Sequence, residues 1–226
     1  MRTWLVVAAE KQEFTGIVRR CGPARPLEWP GAEFAREIEW KGERWWLVAN
    51  GPGSMLVRRA LAGRAQDLKG KVDGVVSTGF CGALDPALTH GAVIITGETP
   101  LRAGASFVQG RIVSTSRVVV TATEKKALRE STGADAVDME FEEVKKIAEE
   151  WGVPVRAIRV VSDIAAEDMP LDFNRYRDDR GSFSRGRIAL AALVRPFTVL
   201  PGLLRLERNC RLAAEKLGEF FANSEF

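Results

Sequence analysis

Apolar residues recur along this chain in two rhythms. Short runs rich in β-branched residues predict strands over Thr3–Ala9, Glu33–Glu39, Arg44–Ala49, Gly74–Thr78, Ala92–Thr96, Arg111–Ser114, Val118–Thr121 and Val155–Ser162. Helical spacing predicts helices over Lys11–Arg20, Ser54–Leu68, Thr123–Glu130 and Phe141–Trp151. In the last of these, Phe141, Val144, Ile147, Ala148 and Trp151 form one apolar face, while Glu142 lies one turn from Lys146 on the other. Gly152 and Pro154 end that helix. The Glu33–Ala49 pair reads as a hairpin turning at Lys41-Gly42. Strands alternating with helices give an α/β fold, a central mixed and largely parallel β-sheet flanked by helices. Beyond Asp168 comes a polar, Arg-rich loop, and then apolar helices from Ile188 to Phe221.

The chain has 226 residues and shows no Ser/Gly linker or repeat, so one domain over 1–226 is expected, with a helical, Arg-rich part from about 185 to 226. Charged residues make up 28% and hydrophobic ones 46%, the balance of a soluble globular protein, and no window has the apolar length of a membrane span. The start MRTWLVVAAEKQE meets an acid too early for a secretory signal. Cys21, Cys81 and Cys210 lack CxxC spacing and His90 is the only histidine, which points to a reducing cytoplasm and to no metal site.

Three positions draw attention to chemistry. Glu140 opens a helix, where the dipole favours an ionised carboxylate. Asp163 closes a buried strand at its C-terminal end, the edge at which open α/β sheets bind ligands. Arg159 interrupts an otherwise apolar strand and needs a partner there. Taken singly, Glu140 and Asp163 are ordinary helix-end residues, and Gly79 and Gly82 serve a tight turn after a strand.

Together these segments resemble the nucleoside phosphorylase and nucleosidase superfamily, which cleaves the N-glycosidic bond of nucleosides. The resemblance rests on Val137-Asp-Met-Glu140, on Arg159-Val-Val-Ser-Asp163, on Glu13 after the first strand, and on Ser77-Thr-Gly-Phe-Cys-Gly-Ala-Leu-Asp-Pro86 as a Gly-rich turn, in order from Leu5 to Asp168. It implies a purine nucleoside as substrate, often 5'-substituted, with cleavage by phosphorolysis or hydrolysis, and a homo-oligomer. Glu140 would hold the ribose hydroxyls, Met139 would pack on the sugar, and Asp163, oriented by Ser162, would protonate the base. Glu13 would act as general base on water, and Arg159 would bind the water, ribose or phosphate side. Gly79, Phe80, Cys81 and Gly82 would border the substrate. No cofactor is implied beyond inorganic phosphate as co-substrate of a phosphorylase, for which Arg58, Arg59 and the Gly51-Pro-Gly-Ser54 turn are candidates.

Two departures bear on specificity. Phe80 stands where many members have serine, and the segment between Arg111 and Val137 is compact beside that of the methylthioadenosine nucleosidases. Arg185–Pro196 and Leu200–Leu206 are similar to the tail of the hopanoid-associated phosphorylases, which implies an adenosyl-lipid substrate and an open, apolar 5' pocket. From Arg175 to Arg211 nine arginines face three acids, Asp178, Asp179 and Glu207. That stretch, interleaved with leucines, could meet anionic lipid head groups. Its charge is too small for nucleic acid. The alternatives are a methylthioadenosine/S-adenosylhomocysteine- or futalosine-type nucleosidase and, in another class, a non-catalytic nucleoside- or lipid-surface-binding module.

Overall fold

The first apolar run forms strand β1 (Thr3–Ala8), buried along its whole length, as expected of a strand covered on both faces. Its side chains alternate between two cores. Trp4, Val6 and Ala8 join Phe14, Ile17, Leu217 and Phe220 on one face, while Leu5 and Val7 join Val57, Leu61, Val144, Ile147 and Trp151 on the other. The computed structural model describes residues 1–62, 68, 70–97, 102–178 and 181–225.

The remaining strands are β2 (Arg25–Pro26), β3 (Phe34–Trp40), β4 (Glu43–Ala49), β5 (Gly74–Ala83), β6 (Val93–Thr96), β7 (Arg102–Ala103), β8 (Val108–Gln109), β9 (Ile112–Ser114), β10 (Ala136–Asp138), β11 (Val155–Asp163) and β12 (Ser224–Glu225). The main sheet runs β2-β3-β4-β1-β5-β11-β6-β8, with β10 bridging β5 and β9, and β7 pairs with β12 apart from it. Strands β4, β1, β5 and β11 are parallel neighbours, so their C-terminal ends share one edge. The β3–β4 hairpin turns as expected: Lys41 and Gly42 both take positive φ, 49° and 78°, which a two-residue hairpin of the right twist requires.

Helices α1 (Thr15–Arg20), α2 (Ser54–Ala62), α3 (Ala122–Thr132), α4 (Phe141–Trp151), α5 (Arg185–Val194) and α6 (Leu200–Ala222) flank the sheet. The expected helix over Lys11–Arg20 begins with a 3-10 turn at Lys11–Phe14. Of Ser54–Leu68, residues 63–67 lie outside the described residues. The helix expected at Thr123–Glu130 is longer, because Thr121 and Glu124 form a capping box before it and Gly133 closes it.

Two expectations fail locally. Val118–Thr121 is no strand, since its backbone groups are met by side chains: Asn174 bonds the N–H and the carbonyl of Val118, and Glu124 accepts from Val120 and Thr121. The Gly-rich Ser77–Pro86 segment is no turn as far as Ala83. Gly79 and Gly82 lie inside strand β5, where a glycine marks a close approach by another group.

The last long helix lies across the first. At Gly16 an added Cβ would stand 1.9 Å from the carbonyl oxygen of Ala214, and at Gly218 it would stand 2.2 Å from the carbonyl carbon of Gly16. Helix α6 thereby packs backbone to backbone on α1 and against the Lys11–Phe14 turn. Gly218→Ala should therefore lower stability by about 1–3 kcal/mol, the usual cost of overpacking. Urea denaturation measures it, and an unchanged midpoint would contradict the tight crossing.

Candidate active site

The shared edge of the parallel strands is where the expected residues gather. Glu13, Phe80, Cys81, Gly82, Met139, Glu140, Ser162 and Asp163 all line one cavity of about 200 Å³. Gly79 and Arg159 lie behind its wall.

Glu13 is placed by the 3-10 turn after β1. Its Oε2 accepts the Glu10 N–H at 2.8 Å and its Oε1 the Phe80 N–H at 2.7 Å. The carboxylate comes so close to β5 that a Cβ on Gly79 would stand 2.3 Å from Oε1, and Gly79 has φ +133°, a conformation L side chains rarely adopt. Glycine is needed here for Glu13, rather than for a turn. Burial pushes the Glu13 carboxyl up to about 8, and the nearby Glu140 adds to the effect against the two backbone donors.

Glu140 heads α4, yet its carboxylate does not cap the helix. Asp138 Oδ2 takes the Phe141 N–H at 3.1 Å instead, and Glu140 turns towards the Gly51–Gly53 turn, where Oε1 accepts the Gly53 N–H at 2.7 Å. The expectation that the helix dipole keeps Glu140 ionised is corrected accordingly. Burial, reinforced by Asp138, outweighs the dipole and raises the carboxyl to about 7.

Arg159 is 1% exposed. Its Nη2 donates to Asp138 Oδ2 at 2.5 Å and to Ser77 Oγ at 2.8 Å, while Nε and Nη1 have no hydrogen-bond partner in the protein. It therefore underlies Glu13, Asp138 and Glu140 as a buried counter-charge.

At the far side, β11 slips register against β5 between Val161 and Asp163. Successive residues of a regular strand point to opposite faces, and this irregularity lets Ser162 and Asp163 both reach the cavity. Ser162 Oγ donates to Asp163 Oδ1 at 2.9 Å. Lys125, wholly buried on α3, sits 2.7 Å from Asp163 Oδ2 and also donates to the carbonyls of Ile164 and Glu167 at 2.8 and 3.0 Å. The charged neighbour of Asp163 is thus an ammonium. Cys81 is a buried thiol with its pKa raised by burial, which leaves it a packing residue.

A second chamber of about 320 Å³ shares Ala9 and Phe183 with the first, and Glu10, Lys11, Glu33 and Arg185 are in its wall. Charged side chains thus make up part of its wall. Arg58 is held by Glu143 at 2.6 Å on the outer face, away from the cavity. Among the described residues no His, Cys, Asp and Glu side chains cluster as a metal site.

The sequence reading missed Asp138, Lys125 and the Gly53 amide. Asp138 had a signal, since it sits in a short apolar strand of its own just as Arg159 does, and two such charges call for each other. Lys125 had little, because it follows Glu124 in an ordinary charged helix surface.

Residues 98–198 match the phosphorylase superfamily model. No curated protein matches the sequence. Among solved structures, a futalosine hydrolase mutant of Helicobacter pylori is similar over 99% of this chain and 98% of its own, at 14% identity and TM-score 0.70. A 5'-methylthioadenosine/S-adenosylhomocysteine nucleosidase of Neisseria meningitidis, in complex with methylthio-immucillin-A, is similar over 99% and 98%, at 20% identity and TM-score 0.70. A mutant of the Helicobacter pylori nucleosidase with 5'-methylthioadenosine in its active site is similar over 98% and 96%, at 15% identity and TM-score 0.70. At these identities the likeness is one of fold, and it agrees with the mixed sheet described above.

The raised Glu13 carboxyl gives a stability test that needs no substrate. The unfolded chain releases this proton near the ordinary value and the folded chain only near 8, so the group costs stability as pH rises between the two. Glu13→Gln removes that slope, worth up to about 1.4 kcal/mol per pH unit for a single proton. Urea denaturation at pH 5 and pH 8 should show the variant gaining on the wild type at the higher pH. Equal differences at both would place Glu13 in a more solvated state.

Proposed function

We propose that this chain, similar over residues 98–198 to the phosphorylase superfamily and sharing its fold with bacterial nucleosidases, hydrolyses the N-glycosidic bond of a purine nucleoside, in particular a 5'-substituted adenosine. The observation that carries this reading is the buried pair of carboxylates at the sugar end, Glu13 and Glu140, facing Asp163 across one cavity.

The transition state carries positive charge on the sugar, which suits a site lined with carboxylates. Glu140, fixed by the Gly53 amide, accepts hydrogen bonds from the ribose hydroxyls and stabilises that charge. Glu13 takes the proton of the attacking water as its oxygen bonds to the anomeric carbon and the bond to the base breaks. A carboxyl raised towards neutrality is a stronger base than an ordinary one and suits this work. The leaving base takes up a proton from solvent at a ring nitrogen, and Asp163, steadied by Ser162 and Lys125, holds the resulting N–H. Met139 packs beside the sugar.

Hydrolysis is favoured over phosphorolysis by charge. A phosphate dianion would sit against Glu13 and Glu140, whereas Arg159 lies behind the cavity wall, paired with Asp138, and Arg58 is held by Glu143. Added phosphate should leave the rate of base release unchanged within about twofold. Asp163→Asn should lower turnover at least tenfold, because a hydrogen bond to a charged acceptor is worth about 1.5–3 kcal/mol and tenfold corresponds to about 1.4. The assay incubates adenosine, inosine, methylthioadenosine and a 5'-alkylated adenosine with and without phosphate and measures free base. No release from any of them would reject the enzyme, and phosphate dependence would reject hydrolysis.

An adenosyl-lipid as the natural substrate is the finer form of this reading. What supports it is the outer face of α5 and the turn after it, where Leu193 is 77% exposed and Phe197 92%, next to Leu190 and Val194. Arg185 to Leu206 carries four arginines and no acid, which suits an anionic lipid surface. With the second chamber charged, a hydrocarbon tail would be borne on a polar 5' group and run out over this face. No helix among the described residues is long and apolar enough to cross a membrane, so contact would be peripheral. Vesicles containing anionic phospholipid should bind the protein at low salt and release it above about 0.5 M, where screening is within a few ångströms. Affinity that ignores both salt and 5'-alkyl length would confine the substrate to small soluble nucleosides.

A further inference from the structure

A buried lysine is expensive unless its three donors are met, and Lys125 meets all of them at the base end of the cavity. It reaches Asp163 Oδ2 at 2.7 Å, and the carbonyls of Ile164 and Glu167 hold its other two protons. Lys125 is not itself part of the cavity wall. Whatever it does there it does through Asp163.

A carboxylate offers about four acceptor positions and no donor. In Asp163 one is occupied on each oxygen, by Ser162 on Oδ1 and by Lys125 on Oδ2, which leaves one on each for a ligand. The two remaining positions form a paired acceptor. Purines differ in what they present to such a pair: beside the N7 position adenine carries a 6-amino donor, and guanine and hypoxanthine carry a 6-oxo acceptor. A 6-aminopurine protonated at N7 offers two adjacent N–H groups and matches the carboxylate bidentately. A 6-oxopurine turns an oxygen lone pair towards a negative charge.

We propose that Lys125 is a specificity-determining positioning residue, which fixes Asp163 as a paired acceptor and so restricts the site to 6-aminopurine nucleosides. The inference rests on the nucleoside-cleaving reading and adds its base selectivity. With the ammonium removed, Oδ2 loses the partner that fixes its direction, and the carboxyl no longer presents a rigid paired acceptor that sets a 6-amino group apart from O6.

The test compares kcat/KM for adenosine and inosine in the wild type, Lys125→Met and Lys125→Arg, with thermal denaturation to follow folding. The wild type should prefer adenosine at least tenfold, Lys125→Met should narrow that ratio at least tenfold, and Lys125→Arg, which keeps the charge, should retain most of it. Competition by the free bases supplies a readout that no variant has to fold for: adenine should inhibit the wild type and hypoxanthine should not. Equal losses on both nucleosides in Lys125→Met would reduce Lys125 to an anchor of the 164–167 turn and overturn the proposal, as would a wild type indifferent to the 6-substituent. A wild type that releases base from none of adenosine, inosine, methylthioadenosine and a 5'-alkylated adenosine overturns the nucleosidase reading and this one with it, whereas cleavage with an unchanged ratio in Lys125→Met overturns only this one.

Discussion

One guanidinium in the interior serves three carboxyl groups, and much of the site follows from that arithmetic. Arg159 is sealed between sheet and helix, paired directly with Asp138 and close to Glu13 and Glu140. A single positive charge cannot balance three negative ones in a poorly solvated space. Glu13 and Glu140 are accordingly both raised, by burial first and by a neighbouring carboxylate after it. Removing the arginine would leave buried like charges without a counter-ion, a loss typically of about 3–5 kcal/mol. The arginine thus governs both the integrity of this cluster and the proton affinity of the carboxyls around it.

The two ends of the cavity are built on opposite electrostatic plans. The end with Glu13, Asp138 and Glu140 carries an excess of carboxyl groups over its one guanidinium. At the Asp163 end one carboxyl group meets one ammonium, with its oxygens individually claimed. The backbone holds these plans apart. Gly79 opens β5 for Glu13, and the slip in β11 turns two consecutive side chains the same way.

How much of this was legible beforehand depends on whether a residue's role is local. The sheet, the hairpin at Lys41-Gly42 and the amphipathic α4 follow from periodicity, and the edge at which Ser162 and Asp163 emerge follows from strand order. Arg159 announced itself as a charge in an apolar strand, but its partner Asp138 could be read only by noticing a second misplaced charge. Glu140 looked like a helix-cap residue because sequence shows the helix start and hides the Gly53 amide 87 positions away. Glycines 79 and 82 suggested a turn, since the carboxylates of Glu13 and Asp163 that crowd them come from distant parts of the chain. Lys125 was illegible for the same reason. Its helix was readable, whereas the depth at which that helix sits is decided by packing on Ile164 to Glu167.

The glycine contact between the first and last helices has a temporal side. The turn bearing Glu13 is made well before the helix that packs on it and on Gly16 through Gly218. A ribosome-bound chain can pair its parallel strands and bury one core long before that helix arrives. Glu13 therefore gains its final packing only once that helix has been made, and a chain that stops short of it carries Glu13, Glu140 and Asp163 in order without the contact that holds the first of them.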